Sequence, residues 1–370
     1  MAKQYISINR NLKKRKGVFK IYKSRGELFD KVYGCLIGGL IGDAMGAPAE
    51  DKTYQEIEEQ FGLINDFEGA GTDDSAIKLI LCEAIIENDG YITADEFAAS
   101  FLKNKEKYYR LFYIPVKNMF HKVESKLSLP VYAGLGNMHS SSTAMSISPL
   151  GLINACNPRQ AAIETYDVAG LIHAGDSTFC RDGACAIAAA VAEAMNPDAT
   201  VDSVIAASTS YLHKTSSYEM VSWINKTIKM AKDFDDYRKF REEFYKTNLG
   251  DIVSDSRETV PCVLALFYLA KGDPTQGIIY GANFGRDADT IGTMIGALTG
   301  AFKGVKGLKP EWLTKAEASY GKKVEISKDY GMSQIEAPDQ IQLAESIIDI
   351  INKRITAQKK CINMYEKLTS

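Results

Sequence analysis

Apolar residues recur along this chain at the spacing of three and four residues that marks one face of a helix. The spacing predicts a helix from Leu28 that carries Val32 and Leu36, and a C-terminal helix that carries Ile348 and Ile355. The same pattern predicts further helices over residues 54–62, 72–86, 93–102, 147–154, 158–174, 182–195, 201–211, 218–232 and 261–269, and a helix after Pro115 within the aromatic-rich segment 108–119. Alternation of apolar and polar residues, which marks strands, is almost absent. The expected fold class is therefore all-α.

The sequence shows no boundary between two domains. No segment rich in proline, glycine or serine divides the chain, and no motif repeats at a fixed period. We therefore expect an N-terminal extension over residues 1–27 and one helical domain over residues 28–370. Residues 130–146, with two glycines and a run of hydroxyl side chains, predict a binding loop. The dense charges of residues 233–246 predict a solvated face, and Pro261 is expected at the start of its helix.

Two apolar segments carry regularly spaced glycines. They occupy positions 34, 38, 42 and 46 in the first helix, and positions 292, 296 and 300 in a late apolar segment. Glycine inside a helix costs about 1 kcal/mol relative to alanine, so its repetition indicates that another backbone approaches closely. The two stripes predict two helices packed against each other at the centre of a bundle. The alternative is that some of these glycines lie in loops.

Composition and charge narrow the class of protein. Of 370 residues, 45% are apolar and 25% are charged, as in ordinary globular proteins. The net charge of −3 argues against nucleic acid or a membrane surface as a partner, and the basic run at residues 13–16 is interpreted as a solvated arm. Seven dispersed cysteines indicate reduced thiols. Without a recognisable signal peptide or membrane span, we expect a cytoplasmic monomer or small homo-oligomer.

Two acidic blocks occur in an otherwise apolar, glycine-rich setting. Each combines two carboxylates with a hydroxyl at the expected beginning of a helix: Thr72, Asp73 and Asp74 in one, and Asp287, Asp289 and Thr290 in the other. Taken singly, each block has an ordinary explanation, because acids favour helix N-termini. Taken together, the blocks would bury four carboxylates, whose negative charge requires a positively charged partner. Their hard oxygen atoms suit Mg²⁺, Mn²⁺ or Ca²⁺. Four carboxylates and two hydroxyls suffice for a two-metal centre that orients substrate and activates water.

Three sequence blocks occur in a characteristic order around these acids. They are Gly42-Asp43-Ala44-Met45-Gly46 followed by Glu50, then Gly71-Thr72-Asp73-Asp74-Ser75, and then Gly285-Arg286-Asp287-Ala288-Asp289-Thr290. Together they resemble the hallmark blocks of the ADP-ribosylglycohydrolase family, over about residues 30 to 310. Many members carry tryptophan and threonine where this chain has Gly71 and Ser75.

This resemblance implies a single compact, orthogonal bundle of many helices with two Mg²⁺ ions, or Mn²⁺, in a cleft. The implied metal ligands are the members of both acidic blocks: Thr72, Asp73, Asp74, Asp287, Asp289 and Thr290. Asp74 or Asp289 would orient the attacking water, and Glu50 corresponds to a mobile catalytic acid. The alternative for Glu50 is an ordinary exposed glutamate after a proline turn. The implied reaction is hydrolysis of an N- or O-glycosidic bond at ribose C1 of an ADP-ribosylated small molecule or protein.

The resemblance also implies where substrate binds. Relatives hold the pyrophosphate with a glycine-rich loop that corresponds here to residues 136–140, so Asn137 and Ser140 are candidates. Met138 and His139 replace small residues in that loop, which leaves a smaller substrate such as a nucleoside open. His173 corresponds to a cleft histidine of many relatives, although a lone helical histidine is commonly structural.

Three residues beside the second acidic block complete the predicted substrate site. They are Asn283, Phe284 and Arg286. Arg286 would either contact a substrate anion or pair with a carboxylate.

Alternatives to an ADP-ribosyl hydrolase remain open at this point. One is an N-ribosyl hydrolase of a small nucleoside or nucleotide. Another, of a different class, is a catalytically inactive crystallin-like or binding protein, since lens crystallins share the family; six intact oxygen ligands argue against it. A metal-dependent glycosyltransferase is disfavoured because the chain lacks an α/β nucleotide-binding pattern.

Overall fold

The computed structural model describes residues 25–328 and 331–370, most of which are helical. The predicted extension, residues 1–27, lies outside this description up to residue 24, and the first helix begins at Gly26. The division into an extension and one domain therefore stays a prediction. Helices dominate throughout, so the all-α class is confirmed. One short antiparallel hairpin is added late in the chain, where Lys323 pairs with Glu336.

The helices and strands have the following bounds. In the first half of the chain they are α1 (Gly26–Gly46), α2 (Tyr54–Phe61), α3 (Asp73–Glu87), α4 (Ala94–Lys103), α5 (Lys105–Tyr108), α6 (Ile114–Glu124), α7 (Ser148–Ile153), α8 (Pro158–Ala169) and α9 (Thr178–Ala194). In the second half they are α10 (Val201–Ser210), α11 (Tyr218–Phe234), α12 (Tyr237–Thr247), α13 (Ser256–Leu269), α14 (Pro274–Ala282), α15 (Ala288–Lys303), α16 (Pro310–Glu317), β1 (Lys323–Lys328), β2 (Gly331–Glu336) and α17 (Gln340–Thr369).

Three sequence predictions about local structure are wrong. The helix expected over residues 158–174 ends at Ala169, so His173 lies after it. Pro261 lies inside α13, which begins at Ser256, because the first turn of that helix is polar and gives no apolar signal. Residues 233–246 are not simply a solvated face, since α12 buries Phe240 and Phe244 on one side. Their spacing of four residues places both aromatic rings on the same face of the helix.

Helices α1 and α15 pack antiparallel at the centre of the molecule through their glycines. A Cβ atom added to Gly38 would lie 2.4 Å from the carbonyl oxygen of Gly296. One added to Gly42 would lie 1.9 Å from the carbonyl oxygen of Gly292. No real Cβ atom fits at such distances, so the backbones touch directly. The predicted glycine contact is confirmed, and we call it the glycine seam (residues 34, 38 and 42 against 300, 296 and 292).

The seam determines which helix ends meet. Because the two helices run in opposite directions, the end of α1 lies beside the beginning of α15. Gly46 marks this meeting point, where an added Cβ would lie 2.2 Å from the carbonyl oxygen of Ala288. The acids around Asp43 and Asp289 are therefore brought together by the closest helix packing in the fold.

Helix α9 forms a second buried layer, packed against α8 and α10. Residues 184–192 are completely buried, as their all-apolar sequence predicts. Within the described residues, one stretch, Gly26–Ala49, is long and apolar enough to cross a membrane, but 83% of its apolar window is buried inside the protein. Its burial is that of a core helix.

Candidate active site

The two acidic blocks converge at the beginnings of α3 and α15. All six side chains are buried: Thr72, Asp73, Asp74, Asp287, Asp289 and Thr290. Thr72 caps α3, as predicted, by accepting a hydrogen bond from the backbone N–H of Asp74. Backbone N–H groups and the helix dipole at these positions favour negative charge. The fold thus brings together the residues that the sequence pattern grouped from opposite ends of the chain.

Each block contacts the other through its hydroxyl group. The Thr72 Oγ1 donates to Asp289 Oδ2 at 3.2 Å, and Thr290 Oγ1 donates to the carboxylate of Asp74 at 3.0 Å. These crossed hydrogen bonds link the first turn of α3 to the first turn of α15. They also turn both carboxylates toward the space between the helices.

Asp43 is a further member of the site that the sequence analysis did not assign. Its carboxylate is fully buried at the end of α1 and accepts hydrogen bonds from the backbone N–H groups of Thr72 and Ser75, each at 3.0 Å. The hydroxyl of Ser75 donates to it at 2.5 Å. A signal was present, because Asp43 is an acid within the apolar glycine stripe of α1.

Gly71 makes room for this carboxylate. Its φ of +91° lies in the left-handed region, and an added Cβ would lie 2.5 Å from Asp43 Oδ2. Glycine adopts this conformation without the steric cost that other residues incur. This explains why glycine precedes the first acidic block in this chain.

The carboxylates form two clusters that share Asp289. Oxygen atoms of Asp43, Asp74 and Asp289 lie within 4.8 Å of one another, as do those of Glu50, Asp287 and Asp289. Three oxygen ligands within this span fit a divalent cation, and a shared carboxylate between two such sets fits a pair of ions. Asp73 belongs to neither cluster but lines the cleft beside them.

Charge repulsion in the cluster is visible at Asp43. Burial raises the pKa of Asp43 to about 6, and the negative charge of Asp289 adds to this shift. Two carboxylates forced together in a buried site each favour the protonated form of the other. A bound divalent cation would remove this penalty, which supports the fit between these residues and a metal.

From the two clusters, Glu50, Asp74 and Asp287 line a cleft with a volume of about 290 Å³, whereas Asp43 and Asp289 are buried and do not line it. Its acidic lining consists of Glu50, Asp51, Asp73, Asp74, Asp251 and Asp287. Tyr113, Met138 and Ile252 supply apolar surface. Among the described residues, no lysine, arginine or histidine lines this cleft. The cleft therefore presents negative charge and some apolar wall to a ligand.

One wall is a segment that we call the serine loop (residues 138–146). Within it, Ser141 donates from Oγ to Asp287 Oδ2 at 2.8 Å, so this loop orients a candidate metal ligand. The sequence analysis predicted a binding loop here but did not select Ser141. The run of four hydroxyl residues was the only signal, and it did not distinguish the hydroxyl that contacts an acid.

His173 supports the serine loop from behind and does not line the cleft. Its Nε2 lies 3.0 Å from Ser140 Oγ, and its Nδ1 lies 2.8 Å from Thr143 Oγ1. Burial, with a smaller contribution from His139, lowers the pKa of His173 to about 3. A neutral imidazole has one donor and one acceptor, which matches two hydroxyl partners. Ser140, another predicted substrate-binding residue, also lies in this supporting network.

Three other predicted substrate-binding residues make contacts inside the protein, away from the cleft. The Asn137 amide donates to the carbonyls of Pro115 and Ile172, and the Asn283 side chain exchanges two hydrogen bonds with the backbone of Ile64. Phe284 is fully buried in the core. None of the three lines the cleft, so their contacts support structural roles.

Arg286 pairs with a carboxylate, one of the two possibilities left open by the sequence. Its Nε donates to Glu258 Oε1 at 2.8 Å, and its Nη2 donates to the carbonyl of Gly250 at 2.6 Å. Arg286 itself has a φ of +61°, which forms a tight turn just before Asp287. The ion pair therefore fixes the turn from which the second acidic block begins.

Comparison with known proteins places this geometry in a family. The sequence profile of the ADP-ribosylglycohydrolase family matches residues 24–349. The chain belongs to the ADP-ribosylglycohydrolase family. As a member, it is a hydrolase of the ADP-ribosylglycohydrolase type, and the resemblance seen in the sequence is confirmed.

Individual relatives are distant. The chain is 28% identical over 317 residues to the uncharacterised protein YegU of Escherichia coli, covering 78% of this chain and 92% of that protein. It is 22% identical over 334 residues to the ADP-ribosylhydrolase ARH3 of Gallus gallus, covering 77% and 88%. A solved structure described as an ADP-ribosylglycohydrolase-related protein complex superimposes with a TM-score of 0.59 at 18% identity, covering 88% of this chain and 99% of that one. This last likeness shows the fold alone.

Proposed function

We propose that this protein is a Mg²⁺-dependent hydrolase that cleaves the N- or O-glycosidic bond at ribose C1 of an ADP-ribosylated acceptor. One observation carries the proposal: two three-carboxylate clusters share Asp289, and Glu50, Asp74 and Asp287 of these clusters line one cleft. Family membership and the likeness to an ADP-ribosylhydrolase support the ADP-ribosyl group. We further propose two ions, with Mn²⁺ as a possible substitute, and a cytoplasmic location.

The residues that would hold the ions come from both clusters and from the two hydroxyls beside them. Asp43, Asp74 and Asp289 fit one ion, and Glu50, Asp287 and Asp289 fit the other. The hydroxyls of Thr72 and Thr290 already face the carboxylates of the opposite block. Divalent ions at these positions would supply positive charge that polarises a substrate oxygen and lowers the pKa of water.

The protein's own residues would perform the proton transfer and stabilise charge. Asp74, which lines the cleft, or the buried Asp289 would accept the proton of the attacking water. Cleavage at ribose C1 develops positive charge on the sugar, which the surrounding carboxylates would stabilise. Glu50 is half-buried and lines the cleft, which supports its assignment as a catalytic residue.

The test is a product analysis with matched variants. The purified protein would be incubated with Mg²⁺ and a panel of ADP-ribosylated peptides, O-acetyl-ADP-ribose and nucleosides, with products identified by mass spectrometry. We expect release of ADP-ribose that stops when the metal is chelated. Asp289→Asn should lower the rate by at least about a hundredfold, because a shared ligand and candidate base is lost.

The control is Asp349→Asn, which makes the same chemical change on the exposed side of α17. It should leave the rate unchanged. Equal rates for wild type, Asp74→Asn and Asp289→Asn would sink the enzymatic proposal and leave the binding-protein alternative. Isothermal titration with Mg²⁺ tests the metal site separately, because metal binding can be measured without knowing the substrate.

A specific observation also favours the second candidate, an N-ribosyl hydrolase of a small nucleoside. The described lining of the cleft contains six acids and no basic side chain to neutralise a pyrophosphate. In addition, Met138 lines the cleft at a position where the resemblance predicts a small residue. Release of ribose from nucleosides, without release of ADP-ribose from modified peptides, would establish this candidate in place of the first.

A further inference from the structure

The C-terminal helix α17 extends well beyond the body of the protein. It covers Gln340–Thr369, and every residue from 355 to the last described residue, 370, is exposed. At 1.5 Å per residue, this exposed part is about 22 Å long. The first half of α17 behaves differently, since Ala344, Ile347 and Ile351 are buried in the core. The exposed half is therefore a continuation of a core helix into solvent.

This exposed half is amphipathic. Its large apolar side chains and their exposed fractions are Ile355 (40%), Ile362 (55%), Met364 (53%), Tyr365 (70%) and Leu368 (82%). At 100° per residue, all five fall on one half of the helix circumference. Three lysines, at positions 359, 360 and 367, occupy the other half. An apolar face this wide on an exposed helix requires a partner, and the lysines indicate its charge.

Positive charge is concentrated at this end of the molecule. Residues 355–370 carry a net charge of +2, although the whole chain carries −3. Residues 1–24 contain eight lysines and arginines and no acid, so the rest of the chain carries −13. Arg25, where the described chain begins, pairs with Glu345 of α17 at 2.7 Å. The N-terminal segment therefore joins the described chain at a residue that contacts α17.

We propose that the exposed half of α17 binds an anionic lipid surface, with its apolar face in the interface and its lysines toward the headgroups. A helix of this composition lies in the plane of a membrane surface rather than across it. The adjacent basic N-terminal segment supplies a second electrostatic attraction, and stable peripheral binding generally requires two such signals. The net charge of −3 concealed this possibility because it averages a basic end with an acidic body.

Charge argues against two other partners for the apolar face of α17, a second copy of the helix and the N-terminal segment of the same chain. A second copy of the helix would bring two sets of lysines together, and the exposed segment spans only about two heptads, too short for a stable coiled coil by itself. The N-terminal segment of the same chain carries a charge of the same sign as the helix. Like charges repel, so neither a second helix nor the N-terminal segment offers the lysines the opposite charge that an anionic surface offers.

The test is vesicle co-sedimentation of the full-length protein. We expect binding to phosphatidylcholine vesicles that contain about 30% phosphatidylglycerol, no binding to phosphatidylcholine alone, and weaker binding when salt is raised from about 0.1 M to about 1 M. Deleting residues 1–24 should weaken the binding without abolishing it. Unchanged or tighter binding after the deletion would refute the contribution of this segment, and loss of all binding would refute the role of the helix.

Two matched double variants separate the apolar contribution from charge. Ile362→Asp with Leu368→Asp places two acids on the apolar face, and Thr356→Asp with Asn363→Asp places two acids on the polar face. Both change the net charge by the same amount, and all four positions are exposed. The first pair should weaken binding at least tenfold relative to the second, with unchanged circular dichroism. Equal weakening, absence of vesicle binding in wild type, or a dimer in light scattering that only the first pair dissociates would each refute the proposal.

Discussion

The glycine seam and the serine loop position the same acidic centre by opposite physical means. The seam brings Asp43 and Asp289 together by removing side chains, so that two backbones touch with no hydrogen bond between side chains. The serine loop orients Asp287 by adding polar groups, through Ser141 in front and the His173 network behind. One region relies on steric fit and the other on hydrogen bonds.

This difference determines how each region responds to change. A steric contact between backbones has no tolerance for an added atom, and it is insensitive to pH. A network of hydroxyls around a neutral imidazole tolerates small changes, but it depends on the protonation of that ring. Substitutions in the two regions should therefore differ in kind, with loss of stability in the seam and dependence on pH and metal in the loop.

Adding one methyl group to the seam should be the most damaging change. In Gly296→Ala, the new Cβ would lie 2.1 Å from the carbonyl oxygen of Gly38. We expect a loss of about 3 kcal/mol or more in the free energy of unfolding, although helix propensity alone would favour alanine by about 1 kcal/mol. Chemical denaturation measures this. The control is Gly250→Ala, where the nearest atom lies 4.0 Å from the added Cβ, and a stabilised Gly296→Ala would contradict steric fit as the basis of the seam.

Removing one charge at the end of the seam should stabilise the protein without metal. In Asp289→Asn, the repulsion that helps to raise the pKa of Asp43 is relieved. We expect the metal-free protein to gain about 1 kcal/mol in stability and to lose the stabilisation that Mg²⁺ confers on wild type. Thermal unfolding with and without Mg²⁺ measures both effects. If Asp289→Asn still gained stability on addition of Mg²⁺, the shared-ligand assignment would be wrong.

The support behind the serine loop should make stability depend on pH. Because the folded protein holds the pKa of His173 near 3, below about 6.5 in an unfolded chain, only the unfolded state gains a proton between these values. This contribution to stability is complete above pH 6.5 and is lost as the pH falls toward 3, at about 1 kcal/mol per pH unit. In His173→Gln, denaturation between about pH 6 and 5 should show a shallower slope than in wild type. The exposed His121→Gln serves as control, and an unchanged slope in His173→Gln would exclude His173 as the source.

The front of the serine loop should show its effect in metal affinity. Ser141→Ala removes the hydrogen bond to Asp287, and we expect Mg²⁺ affinity to fall about tenfold, as for other residues that orient metal ligands. Isothermal titration measures this directly. Ser146→Ala is the control, because that buried hydroxyl contacts only carbonyl oxygens within the loop. A similar loss in both variants would point to general loosening of the loop instead.

Sequence reasoning was accurate where a pattern is repeated or chemically specific. Helical periodicity found the all-α class, the glycine spacing predicted the contact between α1 and α15, and the hydroxyl-acid blocks predicted the convergence of Asp74 with Asp289. It gave no assignment for Asp43 or Ser141, where a single residue carries the information. The substrate-binding roles of Asn137, Asn283 and Phe284 stay predictions, and in the fold these residues make contacts within the scaffold.

The sequence by itself determined which segments are helical, which helix faces lack side chains and which residues supply oxygen ligands, because these properties are set by neighbouring residues and by side-chain chemistry. Only the tertiary structure decided which groups meet. Asp43 joins the acidic centre because α1 and α15 run antiparallel through the seam, and Arg286 turns to Glu258 because α13 passes beside the turn. Such contacts join residues far apart in the chain at distances of about 3 Å, which only the packing of the helices can specify.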